Sequence, residues 1–180
     1  MYRVYETEAE LAEMQRLVDA SLAGANAHLR AIITDERALA AAEITALMTG
    51  MRTLSVATVT ATGEPRISGV DGHLLHGRWV FSTDGTAAKA RHLRARPAVS
   101  AAYIEGDDLG VYTHGRVEFL TPEHRDFDEI EEYLVGHYGS SPSTWADDIV
   151  YCRITPTWMV GYAFKRAELL AARAVAPGPR

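Results

Sequence analysis

The sequence predicts an α+β chain: a small antiparallel β barrel of six or seven strands with helices outside it, preceded by a helical extension. Three observations predict it. Apolar residues recur at helical spacing through residues 1–50, then switch to a period of two from Arg52. Strand-like runs follow one another with turn chemistry between them, so hairpin links are expected. One short basic helix interrupts the strands, and no internal repeat or low-complexity tract is present.

In order, Thr7-Glu8-Ala9-Glu10 has the capping-box pattern that opens a helix. Leu11, Met14, Leu17, Val18 and Leu22 follow at helical spacing, and Gly24 is a stop. A second helical piece holds Leu29, Ile32 and Ile33, and a third is predicted over residues 36–49, ending at Gly50. These helices have too little core to stand alone and are read as an extension that packs on the barrel. The expected organisation is a 1–50 helical extension, a 51–165 barrel domain and a 166–180 tail.

In the barrel, Leu54, Val56 and Thr58 alternate with Ser55, Ala57 and Val59. Thr62-Gly63-Glu64-Pro65 is a turn, and residues 66–70 form a second strand. Leu74-Leu75 and residues 79–82 flank a hairpin at His76-Gly77-Arg78. Residues 86–96 form the basic helix, stopped by Pro97. Strands follow over 98–104 and 109–120, and Thr121-Pro122 is read as N-cap and first residue of another helix. Residues 149–154 and 158–164 are read as two last strands separated at Thr155-Pro156. The tail starts as a helix, and Pro177-Gly178-Pro179 is expected to fray.

Composition excludes several functions. With 18 basic and 24 acidic residues the net charge is −6, which argues against general nucleic-acid binding. The one cysteine, Cys152, permits no intrachain disulfide and lies in an apolar run, where an inert buried thiol is expected. No run approaches the ~20 apolar residues of a membrane helix, and residues 1–10 are acidic rather than signal-like. A soluble cytoplasmic protein is expected. The seven histidines are scattered; His73 and His76 come closest, without a nearby third ligand, so no metal site is expected.

The best functional clue is the loop Ser82-Thr83-Asp84-Gly85-Thr86 entering the basic helix. Free N–H groups and the positive end of a helix dipole make such a junction a phosphate site, and Lys89 and Arg91 sit within about a turn of it. Arg94 and Arg96, further along, read as a solvated helix face.

Four segments, ATVTATGEPRISGV, GRWVFSTDGTAAKARHLRARPAVS, GVYTHGRVEFL and RITPTWMVGYAF, in that order, resemble the pyridoxamine 5′-phosphate oxidase-like proteins over about residues 52–164. The resemblance implies a split β barrel and a homodimer with cofactor sites between subunits. It implies phosphate contacts from Thr83, Thr86, Lys89 and Arg91, with Ser82 beside them among the cofactor-binding residues. Arg66 and Ser68 would lie on the strand beside the ring system, with Tyr162 as the aromatic near the cofactor. The tail AFKRAELLAARAV lacks the R-x-H-x-R-type segment that holds the substrate phosphate in pyridoxamine phosphate oxidases, so another substrate is expected. The wording GTAAKARHLRARPAVS is similar to relatives that use the deazaflavin F420; others use FMN or bind haem.

The activity this implies is an oxidoreductase using F420 or FMN to transfer hydride to or from a small unsaturated molecule. The alternative is a dimer that binds a flavin, F420 or haem without turnover. Tyr112, His114 and Ser68 are candidate proton donors, and Trp79 and Trp158 read first as barrel or dimer packing.

Overall fold

The structure is a computed structural model, in which residues 5–175 are described. The first four residues of the acidic N-terminus and the Pro177-Gly178-Pro179 end lie outside the described residues. The elements run α1 (Glu8–Ala23), α2 (Ala27–Ile32), α3 (Ala41–Leu47), β1 (Met51–Val59), β2 (Pro65–Leu75), β3 (Arg78–Asp84) and α4 (Ala88–Ala95). They continue with β4 (Ala98–Glu105), β5 (Leu109–Leu120), α5 (Phe127–Tyr138), β6 (Ile149–Ala163) and α6 (Arg166–Ala172).

The six strands close into an antiparallel barrel in the order β1-β2-β3-β6-β5-β4, and β4 returns to β1. Period-two alternation does what it should: Leu54, Val56 and Thr58 are buried while Thr53, Ser55 and Val59 are exposed. The β2–β3 turn places His76 at φ 53° and Gly77 at φ 70°, the twin positive values that match strand twist in a two-residue hairpin. The capping box of α1 forms as expected, with the Glu10 amide donating to Thr7 Oγ1 (3.2 Å) and the Thr7 amide donating to Glu10 Oε2 (2.8 Å).

Helices α1 and α3 share the main core with the barrel: Met14, Val18, Ile44 and Leu47 pack in one cluster with Leu54, Trp79 and Ile154. Helix α5 forms a second cluster through Ile130 and Leu134. A third, small one beneath α2 holds Ile33, Ala38 and Val160.

Several boundaries differ from the sequence reading: residues 66–70 and 74–75 lie on the one strand β2, and the basic helix begins at Ala88 rather than at residue 86. Helix α3 starts at Ala41, not near residue 36, because residues 37–39 serve β6 instead. The Leu39 amide donates to the Gly161 carbonyl and the Ala163 amide to that of Arg37. Thr121-Pro122 does not open α5; successive turns lead to Phe127, and Asp126 reaches Arg153 rather than capping the helix. Residues 149–163 form one strand through Thr155-Pro156. Pro156 pairs with Gly115 beside a bulge that leaves Thr157 of β6 out of the ladder, where a missing N–H is tolerated, and β3 has already ended its pairing at Ile154.

That bulge makes Gly115 a packing requirement. A methyl built there meets the Thr155 carbonyl oxygen and the Pro156 backbone, neither of which can swing aside. Gly115→Ala should cost about 1–3 kcal/mol of stability. Gly136, exposed inside α5 with nothing near its missing Cβ, is the opposite case. Gly136→Ala should add about 0.5–1 kcal/mol. Urea denaturation of both variants checks the pair; equal midpoints would refute the packing argument.

Candidate functional site

Strand β3 delivers Ser82 and Thr83 to one end of the barrel, paired with Tyr151 and Val150 of β6. Ser82 is half-buried and Thr83 buried. The chain then turns into α4. The turn satisfies its own amides: Gly85 N–H donates to the Asp148 carbonyl (2.6 Å), Thr86 N–H to Asp84 Oδ1 (2.7 Å) and Ala87 N–H to the Asp84 carbonyl (3.0 Å). The loop amides expected to face outward are therefore occupied. The donors left for an anion lie one step on, in the first turn of α4, where Ala87 provides no side-chain cap.

Asp84 holds the position an anion would take at Thr86. The Thr86 hydroxyl and then its amide lower the Asp84 pKa below the ordinary carboxylate value; the Lys89 charge adds to this. Three cations face this junction. Arg91 Nη1 donates to the Thr86 carbonyl, and Arg94 Nη1 donates to that of Gly85 (2.5 Å) while its guanidinium lies 5.1 Å from the Phe119 ring centroid. Among the described residues, Lys89 makes no hydrogen bond, and none of Lys89, Arg91 and Arg94 forms an ion pair. Arg94 is exposed, as expected of a helix-face residue, and it also braces the loop. Arg96 also turns back, its Nε donating to the Val59 carbonyl (3.1 Å).

Strand β2 brings Arg66 and Ser68 toward the same end. Its ladder with β3 covers only His73 to Leu75; extended, that register would set Ser68 level with Gly85. The ladder between the two strands stops short of that level. Arg66 is exposed and paired with Glu64 (2.9 Å). Ser68 is half-buried opposite Val56, and between them Ile67 is 75% exposed.

Tyr162 does not join this group. Val150 pairs with Thr83, and Tyr162 follows twelve residues later on β6, about 40 Å along an extended strand. It lies instead in a groove of about 670 Å³ between α2 and the outer face of β5 and β6. Gly110, Tyr112 and His114 of β5 face Tyr162, Val160 and Trp158 of β6 there. The His114 ring stacks on Trp158 (centroids 4.6 Å apart, planes at 21°), and its Nδ1 lies 2.8 Å from Ser100 Oγ. Trp79 is different: it is buried, and its indole N–H donates to Thr113 Oγ1 (3.2 Å).

Sequence reasoning missed the groove's second wall, Leu29 and Ile32 of α2. The sequence signal was Leu29, Ile32 and Ile33 together in a helical piece too short to bury all three, and the structure leaves Ile32 41% exposed. Cys152 is buried as expected, and burial pushes its thiol up to about 12. Among the described residues no helix is long and apolar enough to cross a membrane.

Comparisons with known proteins agree with this architecture. The structure of the conserved hypothetical protein Rv2991 from Mycobacterium tuberculosis is similar, with a TM-score of 0.62 and 19% identity, over 82% of this chain and 95% of that one. A FAD-binding protein from Mesorhizobium loti matches with a TM-score of 0.56 and 20% identity, over 70% and 94% of the two chains. An F420 reductase matches with a TM-score of 0.51 and 22% identity, over 63% and 92%. At these identities the likeness is one of fold. A search of curated proteins finds no match. The sequence model of the pyridoxamine 5'-phosphate oxidase family, however, matches residues 40–161, well over half the chain and from α3 through most of β6. The strand order and this match together make the chain a member of the pyridoxamine 5'-phosphate oxidase family.

Proposed function

We propose that the protein is an oxidoreductase that holds FMN or F420 and moves hydride between that group and a small unsaturated organic molecule. One observation carries the reading: three cations without ion-pair partners among the described residues lie at the uncapped N-terminus of α4. A phosphate there would meet the first-turn amides and Lys89, with Arg91 and Arg94 holding the loop. When bound, the ring system supplies the redox chemistry. This chain's side chains bind, orient and handle protons. Of the proton-donor candidates, Tyr112 and His114 share the groove, and Ser68 stands at the loop end.

The distance between the loop and Tyr162 supports a homodimer, in which a second copy would bring the groove of one protomer to the loop of the other. Burial of Ile67 would follow if β2 lies in that interface. Sedimentation equilibrium at micromolar protein should give twice the 19.7 kDa chain mass; a monomer alone would refute the assembly.

The test of function is spectroscopic. The purified protein should change the visible spectrum of added FMN or F420, and bound reduced cofactor should be oxidised faster when an acceptor is supplied. Binding without that acceleration would favour a non-catalytic cofactor carrier, and no binding would remove the proposal.

A further inference from the structure

The groove between α2 and strands β5 and β6 has a lining that selects by charge and shape. Its 670 Å³ falls within the roughly 300–1,000 Å³ of small-molecule sites. Among its described lining residues there is no lysine or arginine, and Asp107, in the β4–β5 turn, is the one carboxylate. The nearest cation, Arg37, is engaged outside the lining, with Nη1 donating to the Ile32 carbonyl (3.4 Å) and its guanidinium 4.6 Å from the Phe164 ring centroid. An anion would therefore meet hydroxyl and imidazole donors but no free cation, and Asp107 as a repelling neighbour.

Shape comes from the two strands. Gly110 leaves a flat floor over which the Tyr112 ring folds; a Cβ on Gly110 would lie 2.7 Å from Tyr112 Cε2. The stacked His114–Trp158 pair supplies a second plane, and Ile32 of α2 faces the strands across the groove. Such walls favour a flat π system over a branched aliphatic one. The polar groups are few but available. The Tyr112 and Tyr162 hydroxyls have no hydrogen-bond partner among the described residues. Ser100 engages Nδ1 of His114, which leaves Nε2 for a ligand. Convergent donors on an apolar wall suit a carbonyl oxygen.

We infer that this groove binds an uncharged, planar aromatic molecule carrying a carbonyl-type acceptor, and that α2 sets the charge selectivity. The wall formed by α2 lies outside the 40–161 family match, so this selectivity belongs to the chain's N-terminal extension. The inference rests on the oxidoreductase reading only in making that molecule the unsaturated substrate.

The probe is 6-acetyl-2-dimethylaminonaphthalene, an uncharged aryl ketone whose emission shifts to the blue in apolar surroundings. It is titrated with the full chain without added cofactor, then displaced by 2-acetylnaphthalene or by 2-naphthoate. The neutral ketone should displace it at concentrations at least about tenfold lower than the carboxylate, a difference of about 1.4 kcal/mol. Ile32→Lys should reverse that order; Ile32 is 41% exposed, so folding is unaffected. No blue shift, equal displacement by both competitors, or an order unchanged in Ile32→Lys would each overturn the inference. A groove closed by a second copy of the chain would give the first of these. Repeating the titration with FMN and F420 separates the two readings. Probe binding without cofactor binding removes the oxidoreductase proposal alone, and cofactor binding without probe binding removes this one alone.

Discussion

Replacing Lys89 by alanine should weaken FMN or F420 binding by about ten- to a hundredfold, whichever the protein takes. A hydrogen bond to a charged group contributes about 1.5–3 kcal/mol, and each 1.4 kcal/mol is about a factor of ten. Lys89 is half-buried at the second position of α4 and has no ion-pair partner, so its removal orphans no carboxylate. Alanine is the better helix former, and urea unfolding should not change. The loss should shrink as salt is added, because screening weakens the same attraction in the parent. Asp84→Asn should shift affinity the other way, since it keeps an acceptor for the Thr86 amide while removing the charge that competes with phosphate. Arg94→Ala is not a neutral control, because Arg94 braces the Gly85 carbonyl. Lys165→Ala serves, its side chain being exposed and paired with Glu168 at 3.3 Å. Fluorescence titration of the four proteins decides the matter; parent affinity in Lys89→Ala would move the phosphate site elsewhere.

What the sequence disclosed follows from which forces are local. Strands β1, β4 and β5 were legible to within a residue or so, because alternation and a flanking turn fix each one alone. The breaks placed at residues 36 and 155–156 were wrong for a shared reason. Each depended on a partner strand: residues 37–39 are recruited by the end of β6, and Pro156 is accommodated by a bulge at Thr157 in the pairing of β6 with β5. The loop and its basic residues were legible as a group because they are contiguous. Their wiring was not. Asp84 and Arg94 act through groups that only the folded turn brings together. The groove needed α2 and β6 in one place, more than a hundred residues apart in sequence.

Acid should destabilise the protein through His73, three residues before His76 in the sequence. The two rings face different partners. His73 is buried, with Nδ1 3.0 Å from the Tyr133 hydroxyl and Nε2 2.9 Å from that of Tyr138. Neutral imidazole fits this pair, donating to one hydroxyl and accepting from the other; a protonated ring would donate to both and displace one. Burial, then the nearby His137 and Arg52 charges, lower its pKa from 6.5 to about 4. The unfolded chain therefore takes up a proton that the folded chain refuses. The penalty is absent above pH 6.5, grows as pH falls and is complete below about pH 4. At about 1.36 kcal/mol for each tenfold change in proton affinity, it reaches roughly 3 kcal/mol, of which about 2 is present at pH 5. His76 works in the opposite sense. Burial alone would lower its pKa, but the hydrogen bond and charge of Glu10, then those of Glu129, together raise it. Its contribution is therefore full below the unfolded pKa and fades as pH rises through the folded one. Between pH 7 and 5, the parent should lose about 2 kcal/mol relative to His73→Gln, whereas His76→Gln should lose more stability than the parent over the same range. Urea denaturation at the two pH values, with an NMR titration of the imidazole rings, measures both effects. A His73 ring that titrates near 6.5 would refute the account, because the tyrosine pair would then hold the cation as readily as the neutral ring.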